Sequence, residues 1–497
     1  MSIPRTGFPV SSGPRRILRR LALAAAVAGL SIAWSVPSSA QYGYGGSYES
    51  SPPPRANTAR PQQPRSATPR NATTRSAAPN SAPAPAPPAV GIQSGRANSG
   101  APPAGEQRLV TNEVLIELSG NPPQRTVDAL ANRHRLERIE SQNMGLSGST
   151  YYRWRIPDGR SVSAVIRDLE ADPEIVSVQP NYVYSLQQGA SLQQGAAQQS
   201  GGAGDPAQYA LAKLRLIEAH GIATGHKVLV AVIDSGIDAT HPELRGTVDD
   251  ELIANAGAGA IHSHGTGIAG VIASHGRLRG AAPGVRILAV RAFGGTTAAA
   301  EGTTFHVIKG LNWATERGAR VINMSFAGPF DPALARLIAD ARVKGAIMIA
   351  ASGNAGPKSP PLYPAADPNV IAVAATDADD RLFAKSVRGR HIAISAPGVD
   401  ILTSSAGGGY QVVSGTSFSA AYISGVVALL LERRPKLLPE AVRRILTTTA
   451  HDLGPAGRDE LFGDGLADAA QALATFETFE RLERQESADR AGRDGAR

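Results

Sequence analysis

Apolar positions along the chain follow two rhythms. Between residues 107 and 186 they alternate or recur at helical spacing. Val110 to Leu118 alternates as a half-buried strand does, Thr126 to Arg135 has helical spacing, and a strand pair is predicted around Arg138 and over Tyr151 to Ile156. Val162, Val165, Ile166 and Leu169 fall at i, i+3, i+4 and i+7, one face of a helix, and Ile175 to Tyr184 alternates again. The order βαβ then βαβ predicts a small split βαβ sandwich, an α+β unit. SLQQGASLQQGA follows, a tandem repeat with no apolar period.

From about Asp205 to Ala474 the runs become near-continuous: VLVAVID (228–234), RILAVRAF (286–293), ARVINMSF (319–326), AIMIAASGN (346–354) and NVIAVAAT (369–376). Strands buried on both faces look like this, and helical patterns separate them. The expectation is an α/β domain with a doubly wound, mostly parallel sheet. Residues that do chemistry then belong just beyond the carboxyl ends of its strands.

The ends of the chain read differently. Arg15, Arg16, Arg19 and Arg20 precede an apolar run from Leu21 to Trp34 and a small-residue site at Ser38 to Ala40, the layout of a cleavable export signal over residues 1–40. An apolar run of that length rises only about 21 Å as a helix, short of the roughly 30 Å of a bilayer core, so no transmembrane anchor is expected. Residues 41–106 are rich in Pro, Ala, Ser and Arg, with Arg recurring at 55, 60, 65, 70 and 75, and are expected to be a disordered tether. Residues 187–204 are expected to form an exposed linker, and 475–497 a charged tail. Destination by this reading is the periplasm or the outside of the cell.

Charge and cysteine content narrow the chemistry. The net charge of +8 is uneven: eleven Arg and the single Glu49 give residues 1–105 a net +10, which leaves residues 106–497 at −2. No nucleic-acid partner is therefore expected of the folded part. With no cysteine in 497 residues, disulfides, thiolate metal sites and cysteine nucleophiles are excluded.

Three polar residues stand where chemistry is expected. Asp234 ends a predicted strand, His264 opens an apolar helical stretch, and Ser417 enters the long helix that runs through Leu431. Singly, each has an ordinary explanation as a cap or surface residue. Their order Asp, His, Ser, each in its own glycine-bounded word, matches one of the orders in which a serine triad occurs. Six blocks carry a wider resemblance: VAVIDSGIDATHPEL (230–244), HGTGIAG (264–270), VINMSFAGP (321–329), AASGNAGP (350–357), APGVDI (396–401) and SGTSFSAAYISG (414–425). Over roughly residues 205–474 the chain resembles the subtilisin-like serine proteases, the subtilase family.

That resemblance implies a secreted serine endopeptidase acting through an acyl-enzyme. Ser417 would be the nucleophile, His264 the general base and acid, and Asp234 the group that orients the imidazole. Asn354 and the Ser417 N–H would form the oxyanion hole. Ser325, Phe326, Ala327 and Gly328 would pair with the substrate backbone, and Ala351, Ser352 and Gly353 would wall the pocket before the cut bond. Residues 107–186 resemble the family's inhibitor-like, ferredoxin-like propeptide, with Pro180 to Tyr184 as a product-like tail and the linker as the place of self-processing. Partners are then protein or peptide substrates and the chain's own prodomain.

Three positions depart from the family pattern: Gly267 where a second His is usual, Ala327 where Gly is, and Ala421 where Pro is. Two other readings compete. One is a catalytically idle subtilase fold that binds peptides; the other is a metallohydrolase on His262, His264 and His275, for which no recognisable ligand spacing exists. No cofactor or catalytic metal is expected, and no oxygen-ligand loop for structural calcium stands out.

Overall fold

The computed structural model describes residues 99–186, 204–295 and 300–476, and the backbone of 191–194. The export signal, most of the tether and linker, and residues 477–497 of the tail lie outside the described residues. Among those described, no helix is long and apolar enough to cross a membrane.

The first unit runs β1 (Leu109–Ser119), α1 (Gln124–His134), β2 (Glu137–Met144), β3 (Ser149–Arg155), α2 (Val162–Leu169) and β4 (Ser177–Leu186). Its antiparallel strands lie in the order β4-β1-β3-β2, the split βαβ arrangement. Alternation explains how one sheet serves two cores. Val114, Ile116 and Leu118 of β1 pack with the predicted stripe of α2, while Leu115 points the other way, toward Tyr151, Tyr182 and Tyr184. Ser161 caps α2 by accepting from the Ala164 N–H at 3.3 Å.

After β5 (Ser191–Gln194) come the short helices α3 (Ala210–Lys213) and α4 (Leu216–His220), then β6 (Leu229–Asp234) and β7 (Val248–Ile253). Next are α5 (Ser263–Ala273), β8 (Arg286–Arg291), β9 (Glu301–Thr303), α6 (Thr304–Glu316), β10 (Val321–Met324), β11 (Phe326–Ala327) and α7 (Pro332–Val343). The chain continues through β12 (Ile347–Ala351), β13 (Val370–Thr376), β14 (Ile392–Pro397), β15 (Ile401–Ser405) and β16 (Gly409–Val413) to α8 (Thr416–Arg433) and α9 (Pro439–Thr448). Seven parallel strands form the central sheet in the order β14-β13-β12-β10-β6-β8-β7. α5 and α8 cover one face and α6 and α7 the other, giving the doubly wound layout. α8 is buried all round from Thr416 to Leu431, as its nearly uninterrupted apolar sequence requires.

The first unit packs on α6 and α7. Its polar side chains satisfy the orphan amides at both helix starts: Asn181 Oδ1 accepts from the Phe305 N–H at 3.2 Å, and Gln179 Oε1 from the Ala333 N–H at 2.8 Å. Lys309 to Glu140 at 2.6 Å and Arg336 to Glu117 at 2.8 Å add charged contacts across the same face.

Several expectations are corrected. The strand foreseen over 319–326 ends at Met324, and the chain turns at Ser325 to present β11 as a separate edge. Residues 99–106, foreseen as the end of the tether, are ordered, with Ser99 Oγ donating to Glu170 at 2.8 Å. The SLQQ at 191–194, foreseen as plain linker, forms β5 on the open edge of β16. Backbone pairing at such an edge asks nothing of side-chain periodicity, which is why no pattern announced it.

Candidate active site

Asp234 stands at the carboxyl end of β6, the place the doubly wound sheet reserves for ligands. Its buried carboxylate faces His264 in the first turn of α5, with Nδ1 2.8 and 2.9 Å from the two oxygens. The Ser235 N–H and Oγ donate to the same carboxylate at 2.8 and 3.0 Å, so the group is held from two sides. Gly265 allows the approach, because a Cβ there would collide with the Gly236 carbonyl and come within 3.1 Å of Asp234 Oδ1. His262 caps α5, its Nδ1 accepting from the His264 N–H at 3.3 Å. His275 Nδ1 lies 3.2 Å from the Ala273 carbonyl. Among the described residues no cluster of His, Asp and Glu is arranged to hold a metal ion, so the three histidines do not converge.

Ser417 lies in the first turn of α8, one residue from Phe418, whose ring is 5.7 Å from that of His264. Its Oγ donates to the Ser325 carbonyl at 3.2 Å rather than to His264, and His264 Nε2 is buried without a hydrogen-bond partner. Catalytic hydrogen bonds are often long or misaligned outside the productive substrate complex, so a serine turned from the imidazole does not exclude a triad. Ser325 in turn donates Oγ to the Ser417 carbonyl at 3.0 Å and accepts from Asn323 Nδ2 at 2.8 Å, tying the end of β10 to the start of α8. Asn354, in the turn after β12, anchors its side-chain oxygen on Thr416 N and Oγ1 at 3.1 and 2.9 Å. That fixes the amide plane beside the residue preceding Ser417.

The edge foreseen at Ser325 to Gly328 pairs with the chain's own β4, over fewer residues than foreseen. Phe326 pairs with Leu186 and Ala327 with Ser185, whereas Gly328 bridges to Tyr363. On the other side β9 pairs with the same strand, Val183, Tyr184 and Ser185 lying opposite Thr303, Gly302 and Glu301. The segment held between two edges is thus Val183–Leu186, not Pro180–Tyr184; Pro180 still belongs to the pairing with β1. β9 escaped sequence reading because so short a strand has no period to detect. Ala351, Ser352 and Gly353 are buried, and Gly353 (φ 107°) leaves room that a Cβ would take from Leu362. Leu362 and Val387 cluster with Ala327, an apolar wall that no local word revealed.

The departures have local reasons. Gly267 sits under the β15–β16 hairpin, where a Cβ would lie 2.9 Å from Gln411 Nε2 and 3.2 Å from Thr403, so a side chain there would require Gln411 to move. Ala327 is accommodated in normal strand pairing, and Ala421 is buried in an unbroken α8.

Burial sets the protonation of groups near this face. Tyr184 is wholly buried; desolvation first, then the Asp331 carboxylate, hold its phenol well above the ordinary value, so it remains a donor. His306, buried at the same face, is pushed down to about 4 by desolvation first and then by Arg153, with Lys309 adding to this and Glu140 and Glu113 opposing. A lowered histidine binds its proton in the unfolded chain before the folded one. Stability is therefore expected to fall as pH drops from 6.5 toward 4, by about 2 kcal/mol at pH 5 for this group. Denaturant titrations of an inactive chain at pH 7 and 5 should show the loss, and His306→Gln should remove that part of it. His220, His262 and His391 are also lowered by desolvation and keep a remainder of the same sign. An unchanged slope in His306→Gln would refute the assignment.

The fold and the comparisons with known proteins define a serine peptidase built on a doubly wound sheet. The chain belongs to the subtilase family. The Subtilase family model (peptidase S8) matches residues 225–465, and that of the fervidolysin N-terminal prodomain matches residues 95–181. Subtilisin E of Bacillus subtilis is 30% identical over 62% of this chain and 77% of its own length; subtilisin DY of Bacillus licheniformis is 32% identical over 54% and 98%. Fervidolysin of Fervidobacterium pennivorans is 34% identical over 50% of this chain but only 41% of its own. The crystal structure of fervidolysin, described as a keratinolytic enzyme related to subtilisin, superposes with a TM-score of 0.61 at 26% identity, covering 74% of this chain and 61% of that one.

Proposed function

We propose that this protein is an exported serine endopeptidase made as a self-processing zymogen. Ser417 Oγ attacks the scissile carbonyl while His264 takes its proton and later returns it to the leaving amine. Asp234 holds the imidazole, and Asn354 with the Ser417 N–H binds the developing oxyanion. Substrates add as a strand between β9 and β11, and a large apolar side chain before the cut bond suits the wall of Ala351, Ser352, Gly353, Leu362 and Val387.

One observation supports self-processing above the rest. The chain's own β4 ends at Leu186 on β11, beside the Ser325 that holds the Ser417 hydroxyl, and β5 begins at Ser191 opposite Val413, just before α8. The cut is therefore expected between Leu186 and Ser191. Residues 107–186 act as the intramolecular inhibitor, and residues 205–474 carry catalysis, with Phe476 also buried in that core. The basic, apolar and small-residue run over 1–40 supports export to the periplasm or beyond.

The rival reading, an idle peptide-binding fold, draws on the serine being turned from His264. It predicts no labelling by a fluorophosphonate, whereas the peptidase reading predicts labelling unaffected by a chelator. Asn354→Ala is expected to lower kcat on the order of 10²- to 10³-fold with KM nearly unchanged, a magnitude taken over from a subtilisin. Steady-state kinetics on a peptide substrate decide this, and an unchanged kcat would remove Asn354 from the oxyanion site.

A further inference from the structure

The buried carboxylate of Asp331 stands outside the triad and beneath the strand that occupies the cleft. It is 1% exposed. Oδ1 accepts from the Leu334 N–H at 3.1 Å, capping α7, and from Gln179 Nε2 at 2.7 Å. Oδ2 accepts from Thr304 Oγ1 at 2.6 Å and from the Tyr184 phenol at 3.0 Å. Two of these donors, Leu334 and Thr304, belong to the peptidase unit; the other two leave with the prodomain.

The rest of the Tyr184 site is shaped for a ring. Phe326 meets it edge-on at 5.5 Å between centroids, and Leu334, Ile338 and Tyr363 line the cavity. Gly328 lies so close that a Cβ there would collide with the Tyr184 ring. Capping α7 requires only Oδ1. Oδ2 is turned away from the cap, held by Thr304 and facing the phenol at the end of a cavity that Asp367 also lines, and capping alone does not explain that aim.

We propose that Asp331 is a specificity-determining residue that selects tyrosine over phenylalanine at the substrate position that Tyr184 fills in the zymogen. This rests on the endopeptidase reading above. Phenylalanine fills the same volume but leaves a desolvated carboxylate oxygen short of a donor, and an unmade hydrogen bond at a buried charged group costs more than a made one contributes. An acidic side chain meets like charge in the same place. Of the two six-membered rings that fill this volume, only tyrosine brings a donor to the far end of the cavity.

The test uses the matured full-chain enzyme and quenched-fluorescent peptides spanning residues 183–194, with Tyr, Phe or Leu at position 184. Wild type is expected to cleave the Tyr peptide about ten- to one-hundred-fold more efficiently in kcat/KM than the Phe peptide. Asp331→Ser retains a capping oxygen but cannot reach the phenol, and should bring that ratio to within about twofold, chiefly by raising cleavage of the Phe peptide, which no longer leaves a buried carboxylate short of a donor. Gly328→Ala should disfavour both rings relative to Leu. Fluorophosphonate titration counts competent sites in every variant; where Asp331→Ser does not mature, Asp331→Thr, also a cap and also too short to reach the phenol, reads the same ratio. Labelled wild type that cleaves Tyr and Phe peptides equally overturns the proposal, as does a variant that keeps the ratio. Wild type that neither labels nor cleaves any peptide overturns the endopeptidase reading instead.

Discussion

Ser417→Ala is expected to leave the chain at full length and unlabelled, while wild type shortens by cuts between Leu186 and Ser191 and takes a fluorophosphonate. In the proposed mechanism, removing Oγ deletes the atom that would form the acyl bond, and no neighbour replaces it: Ser325 already gives its Oγ hydrogen to the Ser417 carbonyl. The loss in turnover is on the order of 10⁴- to 10⁶-fold, the size of triad removal in related enzymes. Folding should be spared, because the only hydrogen bond lost in the resting structure is the 3.2 Å contact with the Ser325 carbonyl, and alanine fits the buried first turn of α8. Intact mass over time, read beside labelling, separates the outcomes. If both chains stay intact and unlabelled although folded, self-activation is abandoned and the idle peptide-binding reading takes its place.

Asp234→Asn should lower kcat by about 10⁴-fold while the protein folds and binds peptide as before. Both carboxylate oxygens lie within hydrogen-bond distance of His264 Nδ1, so in the proposed mechanism the ring proton sits on Nδ1 and Nε2 is left as the base. An amide offers an N–H toward Nδ1 and so favours the tautomer with the proton on Nε2, which cannot accept one from serine. The substitution is nearly isosteric, and the amide oxygen can still accept from the Ser235 N–H now bound at 2.8 Å. Single-turnover kinetics on a peptide ester check it. A loss of less than about tenfold would mean that Asp234 positions the helix start and not the proton.

How much of this was legible beforehand depends on how local each feature is. The parallel strands were readable because a strand buried on both faces must be apolar throughout, as Ile347–Ala351 and Val370–Thr376 are. Asp234, His264, Asn354 and Ser417, the residues proposed for the site, stand out in the sequence because each occupies its own backbone setting, a strand end, a helix start or a glycine turn, and such settings impose short words. β9, β11 as a separate edge, and β5 were not, because pairing at an edge is specified by backbone groups common to every residue. Leu362, Val387 and Asp331 lie in no short word that would mark them for a site.

By itself the sequence determined the doubly wound scaffold, the α+β unit before it, and the residues with the chemistry to form a triad. Only the tertiary structure decided that Val183–Leu186 lies between two edges, that Ser417 rests on Ser325, and that a capping carboxylate turns its second oxygen toward Tyr184. The physical reason is range: burial periodicity and turn chemistry act over a few residues, whereas Tyr184 and Asp331 are 147 positions apart and meet only after both units have packed.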